Sequence, residues 1–341
     1  MQPKFKRLFG TRIKTVFAVF VATALVLFVA RAAVVSLRFM RQTGITPGFA
    51  LRILFNTGAP LRQIDYRTNI LLLGISGGQH AGADLTDTML VLSLNLRAHT
   101  MAMISVPRDI WSDTLKDKVN SAYHYGEEKK KGGGFLLAKT VVEDIVGVPI
   151  HYVFMIDFSG FRDIIDLVSG IDVNVPTAFT DPEFPIEGRE NDLCGGDPTF
   201  ACRYEPLHFD QGLQQMSGAR ALTYVRSRHA QGDEGSDFAR SRRQQDVLLA
   251  LKAKLVSPRI WFTQQPLAIF RALDDATETD MNIGELATVG KLLLRISEDR
   301  IKKISIEPLL ESPPAWMYGK YVLVPKESFE VIHEFVKSQL D

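Results

Sequence analysis

Short continuous apolar runs recur along the chain after about residue 65. Residues 69–75 read NILLLGI, a run too short for a helix, and β-rich runs follow at residues 88–96 and 100–106 across a short polar turn. Another strand-like run spans residues 150–158, and a closing strand is expected near residues 303–307. Because continuous apolar runs are typical of strands covered on both faces, these runs predict the centre of a layered sheet.

Amphipathic stretches with helical spacing lie between and after these runs. Gly147 and Gly170 stand where the first two predicted helices need C-terminal caps. Helices are predicted over residues 134–146, 161–168, 214–228, 237–256 and 283–296, with a last helix from Ser328. This alternation predicts an α/β protein, a three-layer α/β/α sandwich with a central mixed sheet. No internal repeat or long linker divides the later part, so one domain is expected over residues 65–341.

The beginning of the chain has a different pattern. Five bases and no acid precede the apolar run 15–30, and apolar residues continue beyond Arg31 to residue 37. This pattern predicts a cytoplasmic basic tail (1–14), one transmembrane helix (15–37) and an extracytoplasmic linker (38–64). The positive-inside rule then places the N-terminus in the cytoplasm and the folded domain outside the cytoplasmic membrane.

A cleaved signal peptide is the alternative for this segment. Ala30-Arg31-Ala32 weakly imitates a small-residue cleavage site. The arginine inside that motif and the apolar pattern that continues after it favour an uncleaved anchor. The folded part is exported under both interpretations.

Composition and charge narrow the function. The 341 residues are 46% hydrophobic and 23% charged, which is typical of a globular protein. Forty Lys and Arg balance 39 Asp and Glu, leaving a formal charge of +1. This balance provides no overall positive field, so general nucleic-acid binding is excluded. Any function that needs positive charge must come from a local cluster of Lys and Arg.

The two cysteines, Cys194 and Cys202, are eight residues apart in a loop rich in Gly, Asp, Pro and Asn. In an oxidising compartment such a pair most simply forms a local disulfide. A metal site joined by His208 is the alternative, but it lacks a convincing fourth ligand and the usual short cysteine spacing. The disulfide is therefore favoured.

Six arginines occupy 24 residues of this nearly neutral chain: Arg220, Arg226, Arg228, Arg240, Arg242 and Arg243. On a helix that opens near Asp237, the side chains of Asp237, Arg240 and Gln244 share one face, and leucines continue that stripe into the core. A helix start and guanidinium groups both favour phosphate oxygens, so the cluster predicts a binding site for a multi-oxygen anion. The alternatives are surface arginines paired with nearby acids, or a nucleic-acid patch, which would need interleaved aromatic residues.

Charged residues also border the first strands. Asp84 and Asp87 precede the second predicted strand, and Arg108 and Asp109 follow the third. The two aspartates before the strand offer hard oxygen ligands for Mg²⁺, which is usually held by one or two carboxylates and substrate phosphates. Taken singly, each is more typical of a turn or a cap.

Seven segments resemble the successive motifs of the LytR-CpsA-Psr family, in that family's order, over roughly residues 65–255. They are NILLLGI, LTDTML, VPRD with Ser105 before it, KVNSAY, IDFSGFRDIIDLVSGIDVNVP, YVRSRH and DFARSRRQQ. The last two are highly specific. The resemblance implies an exported α/β/α catalytic domain behind one membrane helix, and Mg²⁺-assisted transfer of a glycopolymer phosphate from a polyprenyl pyrophosphate carrier.

The resemblance also assigns roles to individual positions. The family arginines that bind the pyrophosphate match Arg108, Arg226, Arg228 and Arg240, with Gln244 beside them. The family acids that hold the metal or activate the acceptor match Asp87 and Asp237. Where the family often has Gly-x-Asp, this chain has Gly74-Ile75-Ser76, and Leu85 replaces a usual arginine; Asp84 is close enough to substitute as a metal ligand.

The expected function is that of a glycopolymer phosphotransferase. A peptidoglycan hydroxyl would attack the sugar-linked phosphorus in line, and Asp237 or Asp109 would orient or deprotonate it. The expected partners are a polyprenyl pyrophosphate-linked glycan, peptidoglycan and the cytoplasmic membrane. Two alternatives stay open: a polyprenyl pyrophosphate hydrolase that uses water, and a non-catalytic envelope protein that regulates or binds glycan, which would need neither Asp87 nor the arginines.

Overall fold

The computed structural model describes residues 59–78, 82–189, 191–257 and 275–340, with isolated positions at 31, 33, 34, 37, 269, 272 and 273. Residues Ala59–Asp341 form one compact unit, separate from Met1–Gly58. The strands of the described part are β1 (Arg67–Ile75), β2 (Thr86–Asn95), β3 (Thr100–Ser105), β4 (Trp111–Ser112), β5 (Asp117–Lys118), β6 (Tyr152–Asp157), β7 (Ile171–Val175), β8 (Phe179–Pro185), β9 (Tyr204–Phe209), β10 (Gly212–Met216), β11 (Thr277–Thr279), β12 (Ile301–Ser305), β13 (Leu310–Glu311) and β14 (Val324–Pro325).

The described helices cover both faces of the sheet that these strands build. They are α1 (Ala122–Lys129), α2 (Gly134–Val146), α3 (Phe158–Leu167), α4 (Gly218–Arg226), α5 (Asp237–Val256), α6 (Ile283–Arg295) and α7 (Phe329–Leu340). Helix α2 ends where the sequence predicts, because Gly147 adopts φ 70° and a Cβ there would meet the His333 ring at 2.3 Å. Only glycine fits that left-handed cap without strain.

Six strands form the central sheet in the order β11-β6-β1-β2-β3-β12. Strand β2 runs antiparallel to β1 and β3, while β6 is parallel to β1 and β12 is parallel to β3. The sheet is therefore mixed, as predicted. One consequence matters for function: β1, β3, β6 and β12 all end at the same edge of the sheet, and β2 begins there.

Alternate side chains of the strands enter two separate cores, as the pleat of a strand requires. On one face, Leu71 and Ile104 pack with residues of α2 and α7, including Val142. On the other face, Ile70 and Met103 pack with residues of α5 and α6. Fully burying one such side chain stabilises the fold by about 1.5–3 kcal/mol, so helices on both faces hold the strand ends in fixed positions.

A third core lies under helices α3, α4 and α5, where they pack on the two-stranded sheets β7–β10 and β8–β9. Aromatic rings fill its centre. Phe209 lies 5.2 Å from Phe179 and 4.9 Å from Tyr224, measured between ring centroids. This core supports the segment that follows α4, which carries Arg228.

Two predicted boundaries are wrong. Residues 214–216 belong to β10 rather than to a helix: Gln214 pairs with Val173 of β7, and α4 begins after Ser217, whose hydroxyl accepts the Arg220 N–H. Pairing with β7 overrides the helical periodicity of the segment. Helix α3 begins at Phe158 rather than at residue 161, because the Asp157 carboxylate caps the helix start.

The membrane prediction concerns another part of the chain. Within the ranges that the structure describes, no helix is both long and apolar enough to cross a membrane. The predicted basic tail (1–14) and transmembrane helix (15–37) fall almost entirely outside these ranges, as does most of the predicted linker (38–64).

Candidate active site

Charged side chains from distant segments meet at the sheet edge where β1, β3, β6 and β12 end. Arg108 follows β3, and its guanidinium group binds the carboxylate of Asp87 at the start of β2. The Arg108 Nε also lies 3.5 Å from the carboxylate of Asp109. The antiparallel register of β2 and β3 therefore places the two candidate motifs of the sequence side by side.

Asp109 is a buried carboxylate, only 3% exposed, surrounded by three cations. Its Oδ1 accepts a hydrogen bond from the Lys118 Nζ at 2.6 Å. Its Oδ2 lies 3.5 Å from Arg108 and 3.6 Å from the Arg228 guanidinium. A buried charge needs such compensation, so Asp109 fixes the positions of the cations around it.

Arg228 reaches the site from the loop after α4. Asp181, which sequence reasoning missed, holds this loop: its Oδ2 accepts the Ser227 hydroxyl at 2.7 Å and the backbone N–H groups of Arg228 and His229 at 3.0 and 3.2 Å. Three bonds to one buried carboxylate oxygen give the loop a defined path. The turn-forming Asp-Pro at positions 181–182 was the only available signal, and it is a common one.

Arg240 lies on the first turns of α5 and is only 7% exposed. Its guanidinium group lies 3.1 Å from the Asp237 carboxylate. Burial lowers the pKa of Arg240, the charge of Asp237 raises it, and the positive charge of Arg108 lowers it again. Arg240 is therefore close enough to Arg108 for direct electrostatic interaction, and we refer to Arg108, Arg228 and Arg240 as the arginine cluster.

Two glutamines attach α5 to the sheet beside this cluster. The Gln244 side chain donates to the Thr88 hydroxyl at 3.0 Å, and the Gln245 side chain donates to the Ser105 hydroxyl at 2.8 Å. The predicted stripe of Asp237, Arg240 and Gln244 thus faces the strand ends. Gln244 thus positions the helix. In the described part of the chain, no hydrogen bond joins its side chain to the arginines.

Five of the six arginines singled out in the sequence separate into three environments. Arg228 and Arg240 join the site. Arg242 and Arg243 form ion pairs with Glu234, and the distance from Arg243 to Glu234 is 3.0 Å. These two arginines therefore have the structural role that the sequence left open as the alternative. Arg220 lies over the Phe209 ring at 3.7 Å, within the third core.

Arg226 is an intermediate case. Its guanidinium carbon lies 4.9 Å from the centroid of the Phe158 ring and 5.9 Å from that of Phe184. Phe158 directly follows β6, so Arg226 lies at the same sheet edge. Among the residues that the structure describes, no ion pair joins it to Asp87 or Asp109.

The two predicted metal ligands, Asp84 and Asp87, have different partners. The Asp84 Oδ2 forms a hydrogen bond with the His124 Nδ1 at 2.7 Å, whereas Asp87 binds Arg108. Within the described residues, one group of three metal-type ligands occurs, Asp192 with Cys194 and Cys202. Those two cysteines form a disulfide, so that group cannot act as a thiolate metal site.

Sequence reasoning also missed two residues near Asp237. Burial raises the pKa of Glu307, which follows β12 at this edge, and the charge of Asp237 raises it further. Burial likewise raises the pKa of the Tyr321 hydroxyl, as do the charges of Asp237 and Asp109. Both residues lie outside the recognised motifs, and a glutamate after a closing strand gave no signal by itself.

These features define an α/β protein with a mixed sheet covered on both faces and a partly buried cationic site at its strand ends. The chain belongs to the LytR_cpsA_psr family, whose model matches residues 56–335. The family expected from the sequence motifs is thereby confirmed.

Two curated relatives illustrate the similarity. The polyisoprenyl-teichoic acid–peptidoglycan teichoic acid transferase TagV of Bacillus subtilis (strain 168) is 29% identical over 245 residues, which cover 70% of this chain and 56% of TagV. The transferase of the same description, TagU, from Bacillus mycoides (strain KBAB4) is 31% identical over 191 residues, which cover 54% of this chain and 52% of TagU. The chain thus spans about half the length of the curated relatives it matches.

Solved structures share the fold. The crystal structure of B. subtilis TagV matches with a TM-score of 0.57 and 25% identity, covering 82% of this chain and 99% of TagV. A structure of TagT bound to LI-WTA matches with a TM-score of 0.55 over 82% of this chain and 94% of TagT, and its 20% identity indicates the fold alone. The predicted mixed α/β fold is confirmed.

Proposed function

We propose that this protein is a phosphotransferase that moves an envelope glycopolymer from a polyprenyl pyrophosphate carrier to a sugar hydroxyl of peptidoglycan. One observation carries the proposal: Arg108 and Arg228, more than one hundred positions apart, both lie beside the Asp109 carboxylate, and the charges of Arg108, Asp109 and Asp87 all act on the buried Arg240. The names of the relatives TagU and TagV, which act on polyisoprenyl-teichoic acid and peptidoglycan, support the substrate classes.

The arginine cluster would bind the pyrophosphate. Guanidinium groups make two-pronged contacts with phosphate oxygens, and several are needed for a group with four or more charged or polar oxygens. Arg240 is desolvated by burial, which strengthens its attraction for an anion at the start of α5. Arg226 would bind the pyrophosphate from the side of Phe158.

Magnesium is the cofactor that the donor set fits best. The Asp87 carboxylate is partly exposed beside the arginine cluster, and Mg²⁺ in phosphate sites is usually held by one or two carboxylates together with substrate oxygens. When bound, the ion would neutralise charge on the pyrophosphate. Asp84 would join it only after releasing His124. Asp87→Asn should therefore raise the Mg²⁺ concentration needed for half-maximal transfer, and unchanged Mg²⁺ dependence would exclude Asp87 as a ligand.

The acceptor hydroxyl needs a base, and the two candidate aspartates are in different environments. Asp109 is buried among three cations, whereas Asp237 is more exposed and, among the residues that the structure describes, forms an ion pair with Arg240 alone. We assign the base to Asp237. The acceptor oxygen forms a bond to the sugar-linked phosphorus, the bond from that phosphorus to the bridging oxygen breaks, the proton passes to Asp237, and the lipid phosphate leaves.

The decisive experiment exchanges Arg108 for lysine in the full chain, held in detergent micelles. An ammonium group keeps the charge but cannot reproduce the two-pronged contact, so transfer from a labelled lipid-linked donor to peptidoglycan should fall on the order of a hundredfold. Thermal stability should change little. Arg220→Lys is the matched control, because Arg220 belongs to the same run of arginines but packs on Phe209.

The same assay distinguishes the alternatives. Wild-type turnover by Arg108→Lys would refute the role of the arginine cluster. Release of glycopolymer phosphate into water, at the same rate with and without acceptor, would identify a hydrolase. Absence of both reactions would leave the non-catalytic envelope protein as the correct description.

We also propose that the folded domain lies outside the cytoplasmic membrane, anchored by residues 15–37. The disulfide between Cys194 and Cys202 supports an oxidising compartment. A topology reporter fused after Asp341 should be active only outside the cytoplasm. Activity confined to the cytoplasm would contradict the proposal.

A further inference from the structure

Large apolar side chains are exposed in the segment between β13 and β14. Trp316 is 81% exposed, Met317 is 56% exposed and Tyr321 is 49% exposed. Single exposed apolar residues are ordinary, but three within six positions concentrate apolar surface on one short segment. We refer to these three residues as the aromatic patch.

The segment that carries the aromatic patch is held firmly against β4 and β5. The Tyr318 ring packs edge-on against Trp111 at 4.9 Å between centroids. The backbone of Leu323 donates to the Asp109 carbonyl at 2.9 Å and accepts from the Trp111 N–H at 2.9 Å. Lys320 donates to the Asp117 carboxylate at 2.7 Å. The backbone of this segment is thus held in place, which lowers the entropy lost when a ligand binds to it.

Tyr321 is the residue of the aromatic patch that lies beside the candidate active site. The charges of Asp237, Asp109 and Glu307 all act on the Tyr321 hydroxyl. The Lys118 Nζ lies 5.8 Å from the centroid of the Tyr321 ring and 2.6 Å from the Asp109 carboxylate. A molecule lying on the patch would therefore reach the side of the site where Asp237 stands.

The chemistry of the patch fits a sugar ring. A pyranose has an apolar face of C–H groups and a rim of hydroxyls, so one face stacks on an aromatic ring while the rim meets polar groups such as those around Tyr321. A lipid tail requires an enclosed apolar pocket, and a side chain as exposed as Trp316 does not provide one. A membrane surface favours segments rich in Lys and Arg, but residues 311–321 contain one glutamate and one lysine.

We propose that Trp316, Met317 and Tyr321 form an acceptor subsite that stacks a sugar ring of the peptidoglycan strand and directs its hydroxyl toward Asp237. The inference rests on the proposed function, since it assigns the second substrate of that reaction. It separates the two substrates in space, with the donor pyrophosphate on the arginine cluster and the acceptor on the aromatic patch.

The test measures transfer by the full chain while the concentration of soluble peptidoglycan fragments is varied at saturating donor. Trp316→Ala should raise the acceptor KM about tenfold and leave the donor KM and thermal stability unchanged, because one aromatic stacking contact is lost. The matched control is Tyr66→Ala, since Tyr66 is 59% exposed but precedes β1 at the opposite end of the sheet. An unchanged acceptor KM in Trp316→Ala would overturn the inference while leaving the proposed function intact.

A binding measurement decides the matter even if no transfer is detected. The fluorescence of Trp316 is obtained as the difference between the wild type and Trp316→Phe, because the chain has three tryptophans. Peptidoglycan fragments should protect this signal from quenching by acrylamide. If the fragments give no protection, or if brominated phospholipid in reconstituted vesicles quenches the signal instead, the patch does not bind the acceptor.

Discussion

Replacing Asp109 by asparagine should destabilise the domain more than any other single change of charge at the site. The substitution keeps the shape of the side chain and removes one buried negative charge. Its carboxylate lies 2.6 Å from Lys118, 3.5 Å from Arg108 and 3.6 Å from Arg228. Without it, three cations repel one another at the end of β3.

The size of the effect follows from the burial of the carboxylate. Removing one partner of a buried ion pair usually costs about 3–5 kcal/mol, because the remaining charges lose their compensation. The three cations are themselves partly exposed, and water can hydrate them, so we expect a loss of about 3 kcal/mol. At roughly 2–4 °C for each kcal/mol in a domain of this size, Tm should fall by about 6–12 °C.

The assay is a thermal melt of the full chain in micelles, followed by near-ultraviolet circular dichroism, with Asp113→Asn as the matched control. Asp113 lies four residues later and pairs with Lys116 at 3.1 Å, but its side chain is 82% exposed. Such a surface pair contributes at most about 1 kcal/mol. If both variants melt together, Asp109 does not hold the cations in place. Transfer by Asp109→Asn should also fall at temperatures where the protein is folded, because two arginines lose their orientation.

Three further changes test other parts of the structure. Arg243→Met should cost about 3–5 kcal/mol, because the buried Glu234 keeps Arg242 as its one remaining ion-pair partner among the described residues and the Ser227 carbonyl loses its donor; adding Glu234→Gln should restore part of this stability in thermal melts, and equal melting of the single and double variants would contradict it. Burial lowers the pKa of His151. The neutral side chain therefore contributes stability that is fully present above about pH 6.5 and is lost as the pH falls through the pKa of the folded state. An NMR titration that gives His151 a pKa at or above its ordinary value would refute this. Cys194→Ser with Cys202→Ser should cost about 2–3 kcal/mol and speed proteolysis of the loop while transfer continues, whereas loss of transfer would connect the loop to the site.

Hydrophobic patterning predicted the central sheet well, because strands covered on both faces must be apolar at nearly every position. It failed at residues 214–216, where the hydrogen-bond partner is β7, some 40 residues earlier in the chain. A strand of that kind is defined by its partner, and a local pattern contains no information about that partner. The same holds for Tyr321 and Glu307, whose importance depends on which residues lie opposite them.

The arginines show where sequence reasoning reaches its limit within a site. Arg240 and Arg243 are three positions apart on α5, so helical spacing alone would place them on the same side of the helix. In the structure Arg240 pairs with Asp237 beside the strand ends, while Arg243 binds Glu234 and the Ser227 carbonyl. Family motifs distinguished the two positions, but spacing and composition could not.

The contacts that attach α5 to the sheet determine when, during folding, the protein becomes able to bind an anion. Gln244 and Thr88 are 156 positions apart, and Gln245 and Ser105 are 140 apart. Contacts of such long sequence separation form late and slowly in folding, because a large loop has to close before they stabilise anything. Because the chain is synthesised from its N-terminus, β1, β2 and β3 are in place well before Arg228 and Arg240 join them. We expect the ability to bind an anion to appear in a single step near the end of folding, and a partly synthesised chain to lack it.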